Sequence, residues 1–194
     1  MVYDLDSIQA SFAESGGGVN SQNGWVLRPE EGRVAAETGH GPLAIAEAAE
    51  VQVRLHSTFQ PHSPNGVVEW DVAWSGFVTS FVGADSSAQA TVTVRIYELI
   101  PGAANPRGPV VFARTVLSDG AGAALQGVAT VRMNGSDSQR VELPTLDPST
   151  IYRLEVELEC SSRVAFSVGA TVCAFADEVT SGLFVDDWSM TFTS

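Results

Sequence analysis

Nine consecutive positions, Tyr152-Arg-Leu154-Glu-Val156-Glu-Leu158-Glu-Cys160, alternate apolar with charged residues without a break. Successive side chains of a strand point to opposite faces, so this period of two predicts a half-buried antiparallel strand and excludes an amphipathic helix. The same alternation occurs in Val51-Gln-Val53-Arg-Leu55, Val68-Glu-Trp70-Asp-Val72-Ala-Trp74, Val92-Thr-Val94-Arg-Ile96 and Phe184-Val-Asp186-Asp-Trp188-Ser-Met190-Thr-Phe192. Weaker strand signals lie near Trp25–Leu27, Val110–Val116, Val128–Met133 and Val164–Val172. Turn-rich segments separate them at Phe59–Asn65, Gly102–Pro109, Ser118–Gly127, Asn134–Ser138 and Leu146–Thr150. About nine strands at this spacing, with no long amphipathic helix, predict an all-β chain folded as a two-sheet antiparallel β-sandwich of the jelly-roll type.

The sandwich is expected to occupy residues 21–194 as one domain. In residues 1–20, Leu5, Ile8 and Phe12 follow a helical spacing behind the capping residues Asp6 and Ser7, and Gly16-Gly-Gly18 supplies a hinge. That segment reads as a short helix or arm, or equally as one more strand of the sandwich. Residues 42–50 have helical propensity but run into a strand pattern, which leaves their state open.

With 44% hydrophobic and 17% charged residues, the chain is neither disordered nor a coiled coil. Its formal charge is −13, and all ten basic residues are Arg, with no Lys. Such usage fits GC-rich coding or salt adaptation, and the charge disfavours nucleic acid, whose backbone requires a basic stripe. No run reaches the roughly 18 apolar residues of a membrane helix. The opening Met1-Val-Tyr-Asp4-Leu-Asp6 lacks the basic and apolar regions of a secretory signal.

Paired carboxylates invite a glycosidase reading, and Glu69 and Asp71 share one strand face, roughly 6–7 Å apart. An ordinary solvated strand face is the expected reading. Trp70 and Trp74 fall on the opposite face with Val68 and Val72, either as a sugar platform or as core, while Trp25 adjoins turn residues in Asn23-Gly-Trp25. These three rings are the candidate ligand-binding residues. His40, His56 and His62 do not complete a metal set with nearby Cys or carboxylate and are expected at the surface. Cys160 and Cys173, if carried by one hairpin turning at Ser161–Arg163, lie far apart on one ladder and read as two buried free thiols. Asn134-Gly-Ser136 matches a glycosylation acceptor, and physically reads as a hairpin turn.

Two C-terminal segments carry a family resemblance. Leu146-Asp-Pro-Ser-Thr-Ile-Tyr152-Arg-Leu154-Glu-Val156 is similar to the L-x-P-G-T-x-Y-x-L-x-V strand of galactose-binding-like jelly rolls, which include many carbohydrate-binding modules, with Ser149 in place of Gly. Gly182-Leu-Phe184-Val-Asp186-Asp187-Trp188-Ser-Met190 resembles their closing G-x-V-Y-V-D-D-V-S-L strand. The resemblance implies a structural calcium held in part by Asp186; it assigns no partner loop, Asp4–Asp6 included. Separately, Glu69-Trp-Asp71-Val-Ala-Trp74 partly resembles the E-x-D-x-x-E signature of laminarinase-type glycoside hydrolases, but Trp74 stands where that family has its general acid.

Three function classes follow. The first is a non-catalytic subunit of a larger assembly, such as a phage virion decoration or tail-associated protein, homo-oligomeric and exposed at a virion or extracellular surface. The second is a carbohydrate-binding module with a glycan partner, and the third is a jelly-roll glycoside hydrolase. The expectation is the first, without catalytic residues, nucleic-acid partner or membrane insertion.

Overall fold

The computed structural model describes residues 2–4, 8–18, 21–44, 46–81, 86–102, 106–122, 128–164, 169–175 and 181–193. They form twelve strands and one short 3-10 turn at Pro29–Glu31, in two antiparallel sheets. The strands are β1 (Val2–Asp4), β2 (Gln9–Gly16), β3 (Ser21–Arg28), β4 (Arg33–Ala44), β5 (Glu47–Phe59), β6 (Asn65–Phe81), β7 (Ser86–Leu99), β8 (Arg107–Gly122), β9 (Val128–Glu142), β10 (Tyr152–Val164), β11 (Gly169–Phe175) and β12 (Gly182–Thr193). No helix among the described residues is long and apolar enough to cross a membrane.

One sheet has the order β2-β5-β10-β7-β8, with β10 in the middle. The other is built on β3, β4, β6 and β9, with β11 and β12 placed end to end between β4 and β6. β11 pairs with the Phe77–Phe81 end of β6, and β12 with its Asn65–Ser75 end. β1 adds to β12. The inward rows of the two sheets, Val51, Val53 and Leu55 on β5, Val92, Val94 and Ile96 on β7, and Leu154, Val156 and Leu158 on β10, meet Val68, Trp70, Val72, Leu183 and Met190 in one core. Full burial of each such aliphatic side chain contributes about 1.5–3 kcal/mol.

Several expectations are corrected. Residues 9–16 form β2, hydrogen-bonded along β5, where a helix was one reading; the caps Asp6 and Ser7, with Leu5, lie outside the described residues. Residues 42–44 end β4 and 47–50 begin β5, so the segment with helical propensity is strand on both sides of Ala46, whose φ is 52°. Residues 152–164 and 169–175 do not form a hairpin, because β10 and β11 belong to opposite sheets. Cys160 and Cys173 therefore lie close across the core, both as buried free thiols, and Cys160 Sγ donates to the Ala36 carbonyl at 3.7 Å. Burial first, and then the neighbouring thiol, pushes the Cys160 thiol well above its usual range.

Asn134-Gly135 is not a turn. β9 runs straight through it, with Gly135 opposite Trp74 on β6. A Cβ on Gly135 would stand 2.9 Å from Trp74 Cζ2, so the glycine makes room for the indole. Pro109, Gly108 and Gly120, taken for turn residues, lie inside β8. This strand pairs only with β7 among the described residues, and an edge strand tolerates Pro and Gly where a central one does not.

Candidate functional site

The three tryptophans do not converge. Trp70 is 3% exposed, lies within the core against Phe112, and its Nε1 donates to Asp137 Oδ2 at 2.8 Å. Trp74 is half-buried over Gly135. Trp25 stands on β3, separated from β6 by β4 and β11, which is roughly 14 Å across the sheet at the usual strand spacing. It stacks on Phe12 of β2 with ring centroids 4.1 Å apart, so the pair bridges the two sheets at one open side of the sandwich.

Glu69 and Asp71 lie on the outer face of β6, and both are engaged by β9. Arg140 Nη1 donates to Glu69, and Ser138 Oγ donates to Asp71 Oδ1 at 2.9 Å. Asp187 is the cross-strand partner of Asp71 and completes a shallow depression of about 380 Å³. Asp186 occupies the adjoining bulge of β12 and is exposed. Among the described residues, no three His, Cys, Asp or Glu side chains cluster in a way that could hold a metal ion. The side chains of Asp4 and Asp6 lie outside that description.

The outer face of the five-stranded sheet holds the most organised polar structure. The alternation of β10 predicts that Glu155 and Glu157 point away from the core, and they do, yet they are only 1% and 2% exposed. Arginines from β5, β7 and β8 close over them. Glu157 accepts from Arg54 Nε at 2.5 Å and from Arg95 Nη1 at 2.6 Å. Glu155 accepts from Arg107 Nη2 at 2.7 Å and from the Tyr97 hydroxyl at 2.9 Å. The Arg107 and Arg153 guanidiniums lie over the Tyr97 ring, 5.4 and 6.0 Å from its centroid. Burial first, and then Glu155, raises the Tyr97 phenol above its usual range.

His56, expected at the surface, lies at the margin of this cluster and is 5% exposed. His40 is also buried, with Nδ1 3.3 Å from Glu47 Oε2, whereas His62 is exposed and meets Phe192 edge-on. Burial, then Arg153, Arg54 and Arg107, lower the His56 pKa to about 4. Between pH 6.5 and about 4 the unfolded chain binds a proton that the folded imidazole refuses, so stability falls as pH drops through that window. Thermal melts should show a smaller loss over this range for His56→Gln than for wild type. Equal losses would mean that the imidazole does not carry the effect.

Further along the same face, a groove of about 450 Å³ crosses all five strands. The cross-strand register builds it from two rows: Ser15, Glu50, Ser161, Gln89 and Gly120, then Ala48, Arg163, Ser87 and Gly122. Small side chains on successive strands keep its floor low, while Glu50, Gln89 and Arg163 supply donors and acceptors. Neither the groove nor the arginine cluster is legible from any single segment, since each is assembled across strands distant in sequence.

No protein-family model matches the chain, and no curated protein matches it in sequence. Solved structures with a similar course include TmCBM61 in complex with β-1,4-galactotriose, at 9% identity, covering 93% of this chain and 87% of that one with a TM-score of 0.31. The family 11 carbohydrate-binding module from Clostridium thermocellum, in complex with a β-1,3-1,4-mixed-linked tetrasaccharide, is 12% identical over 92% of this chain and 87% of that one, with a TM-score of 0.28. The enzymatically active domain of bacteriophage CBA120 tailspike protein 4 is 10% identical, with 94% of this chain on 20% of that one and a TM-score of 0.26. At TM-scores this low the likeness carries no functional argument.

Proposed function

We propose that this chain is a non-catalytic β-sandwich binding subunit that takes a glycan on the outer face of its five-stranded sheet. The observation that carries this reading is the groove that crosses β2, β5, β10, β7 and β8, lined by Ser15, Glu50, Ser87, Gln89, Ser161 and Arg163. A saccharide presents hydroxyls that both donate and accept, and carboxylate, amide, hydroxyl and guanidinium groups along an open channel match that pattern. Orientation then comes from hydrogen bonds, with Trp70 and Trp74 serving packing.

A panel of soluble oligosaccharides titrated calorimetrically tests the reading. Ser161→Tyr, which fills the floor, and Gln89→Ala should each weaken binding by about tenfold or more, about 1.4 kcal/mol, with melting temperature unchanged. Trp25→Ala should leave affinity unaltered. An array of glycans without a hit, or binding indifferent to Ser161→Tyr, would overturn it.

One observation favours a second reading, membership of an assembly. The 16-residue β8 and the 15-residue β9 are each paired on one side only among the described residues, and Val110 and Val128 on them are 58% and 59% exposed. Long open edges with apolar side chains are templates for pairing with another chain. Light scattering after size-exclusion chromatography tests this: a monomer at every concentration counts against a self-assembling subunit.

A further inference from the structure

The arginine cluster carries more positive charge than its own carboxylates require. Four of the chain's ten arginines, Arg54, Arg95, Arg107 and Arg153, surround two buried carboxylates, Glu155 and Glu157. Glu159 lies one outward position further along β10, where its oxygen accepts from Gln52 Nε2 at 3.1 Å. Arg54, Arg95 and Arg107 are ion-paired to Glu155 or Glu157. Arg153 has no such partner: its Nη1 reaches the Tyr97 hydroxyl at 3.5 Å, and its buried Nε has no hydrogen-bond acceptor. His56 Nδ1, on a side chain 95% buried beside these arginines, likewise has no partner. A cluster built only for stability would be satisfied internally, since each unmet buried polar group costs about 1–3 kcal/mol. The Arg95 side chain remains 30% exposed, so an anion reaches it from solvent.

We propose that Arg153, with the exposed side of Arg95, forms an oxyanion subsite on this sheet face for an acidic saccharide, one bearing a carboxylate or a sulfate ester. The planar guanidinium fork fits either group bidentately, and the Tyr97 ring beneath Arg153 holds that fork in place before the ligand arrives. The overall −13 charge does not oppose this at close range, because screening at physiological salt confines each charge to roughly 8 Å. Arg153 stands eight residues along β10 from Ser161 of the groove, roughly 26 Å, so an extended oligosaccharide of about five or more sugar units spans both. The inference rests on the glycan reading of that groove and adds the charge of the ligand.

The test titrates the full chain with a neutral oligogalactoside, an oligogalacturonide and a sulfated oligogalactoside of equal length, at low and at physiological salt. Either acidic ligand should bind about tenfold or more tighter than the neutral one, with the advantage shrinking as salt rises. Arg153→Gln should abolish the advantage and leave neutral binding intact, whereas Arg153→Lys should retain part of it. If the Gln variant fails to fold, isotope-labelled arginine in the wild-type chain replaces it: the Arg153 Nε–H resonance should shift with the acidic ligands and not with the neutral one. Equal affinities, or an unmoved resonance, overturn the acidic subsite while neutral binding upholds the groove; no binding of any of the three removes both.

Discussion

Glu157→Ala should cost about 3–5 kcal/mol of folding stability, measured by urea titration, while Glu69→Ala should cost under about 1 kcal/mol. Both carboxylates pair with arginine on the outer face of a strand, and their sequence contexts are alike. Burial separates them. Glu69 and Arg140 are 41% and 71% exposed, so water replaces the lost partner. Glu157 is 2% exposed and neutralises Arg54, itself 11% exposed, together with Arg95. Removing Glu157 leaves the largely buried Arg54 with only Glu155, 3.8 Å from its Nε and already shared with Arg107, and takes from Arg95 the carboxylate it donates to, and that undercompensated charge dominates the cost. Replacing the group together, as Arg54→Met, Glu157→Leu and Arg95→Met, should recover most of the loss, because well-packed apolar side chains of similar volume leave no charge to solvate. If Glu157→Ala proves as mild as Glu69→Ala, water enters the cluster freely and its burial does not govern its energetics.

That contrast marks where the sequence could be read and where it could not. The period of two at Tyr152–Cys160 places Leu154, Val156 and Leu158 inward and the glutamates outward, and the structure agrees. Alternation reports only which face a side chain takes; it does not distinguish a solvated carboxylate from one covered by arginines of neighbouring strands. A signal for the cluster does exist. Val51-Gln-Val53-Arg-Leu55 and Val92-Thr-Val94-Arg-Ile96 each carry one outward arginine, and the register sets Arg54 and Arg95 opposite Glu157 and Glu155. It becomes legible only once β10 is known to lie between β5 and β7, which no local pattern specifies.

The edges escape a local reading for a related reason. Pro109, Gly120 and Asn134-Gly135 are turn signals by local chemistry, and they sit inside β8 and β9, where one-sided pairing relaxes the demand for donors and side chains. Nine strand signals correspond to twelve strands, with β1, β2 and β4 lacking a clear alternation. Opposite placement of β10 and β11 also changed the cysteines from distant residues of one ladder into neighbours across the core. At Leu146–Tyr152 the local reading was sound. Asp147 accepts from the Ser149 amide at 2.8 Å, its own amide donates to the Tyr152 hydroxyl at 2.9 Å, and Leu146 is buried ahead of β10.

The second large effect comes from a glycine that the strand pattern treats as a defect. Gly76→Ala should lower the melting temperature by about 5–10 °C, corresponding to about 2–3 kcal/mol in a chain of this length. A Cβ at Gly76 would lie 2.6 Å from Phe175 Cγ and 2.7 Å from the Ala174 carbonyl oxygen. The ring is fully buried between the sheets and the carbonyl belongs to β11, which pairs with β4 and β6, so neither withdraws without disturbing both neighbours. Gly122→Ala is the control, since a Cβ there meets nothing within 4 Å, and its melting temperature should stay near that of wild type. A double-mutant cycle identifies the cause. Phe175→Leu alone should destabilise by removing core volume, but combined with Gly76→Ala it should cost less than the sum, because the smaller side chain vacates the space the new methyl needs. Strict additivity would assign the cost to the β11 backbone, and an unchanged melting temperature for Gly76→Ala would show that β6 and β11 separate without resistance at this point of the core.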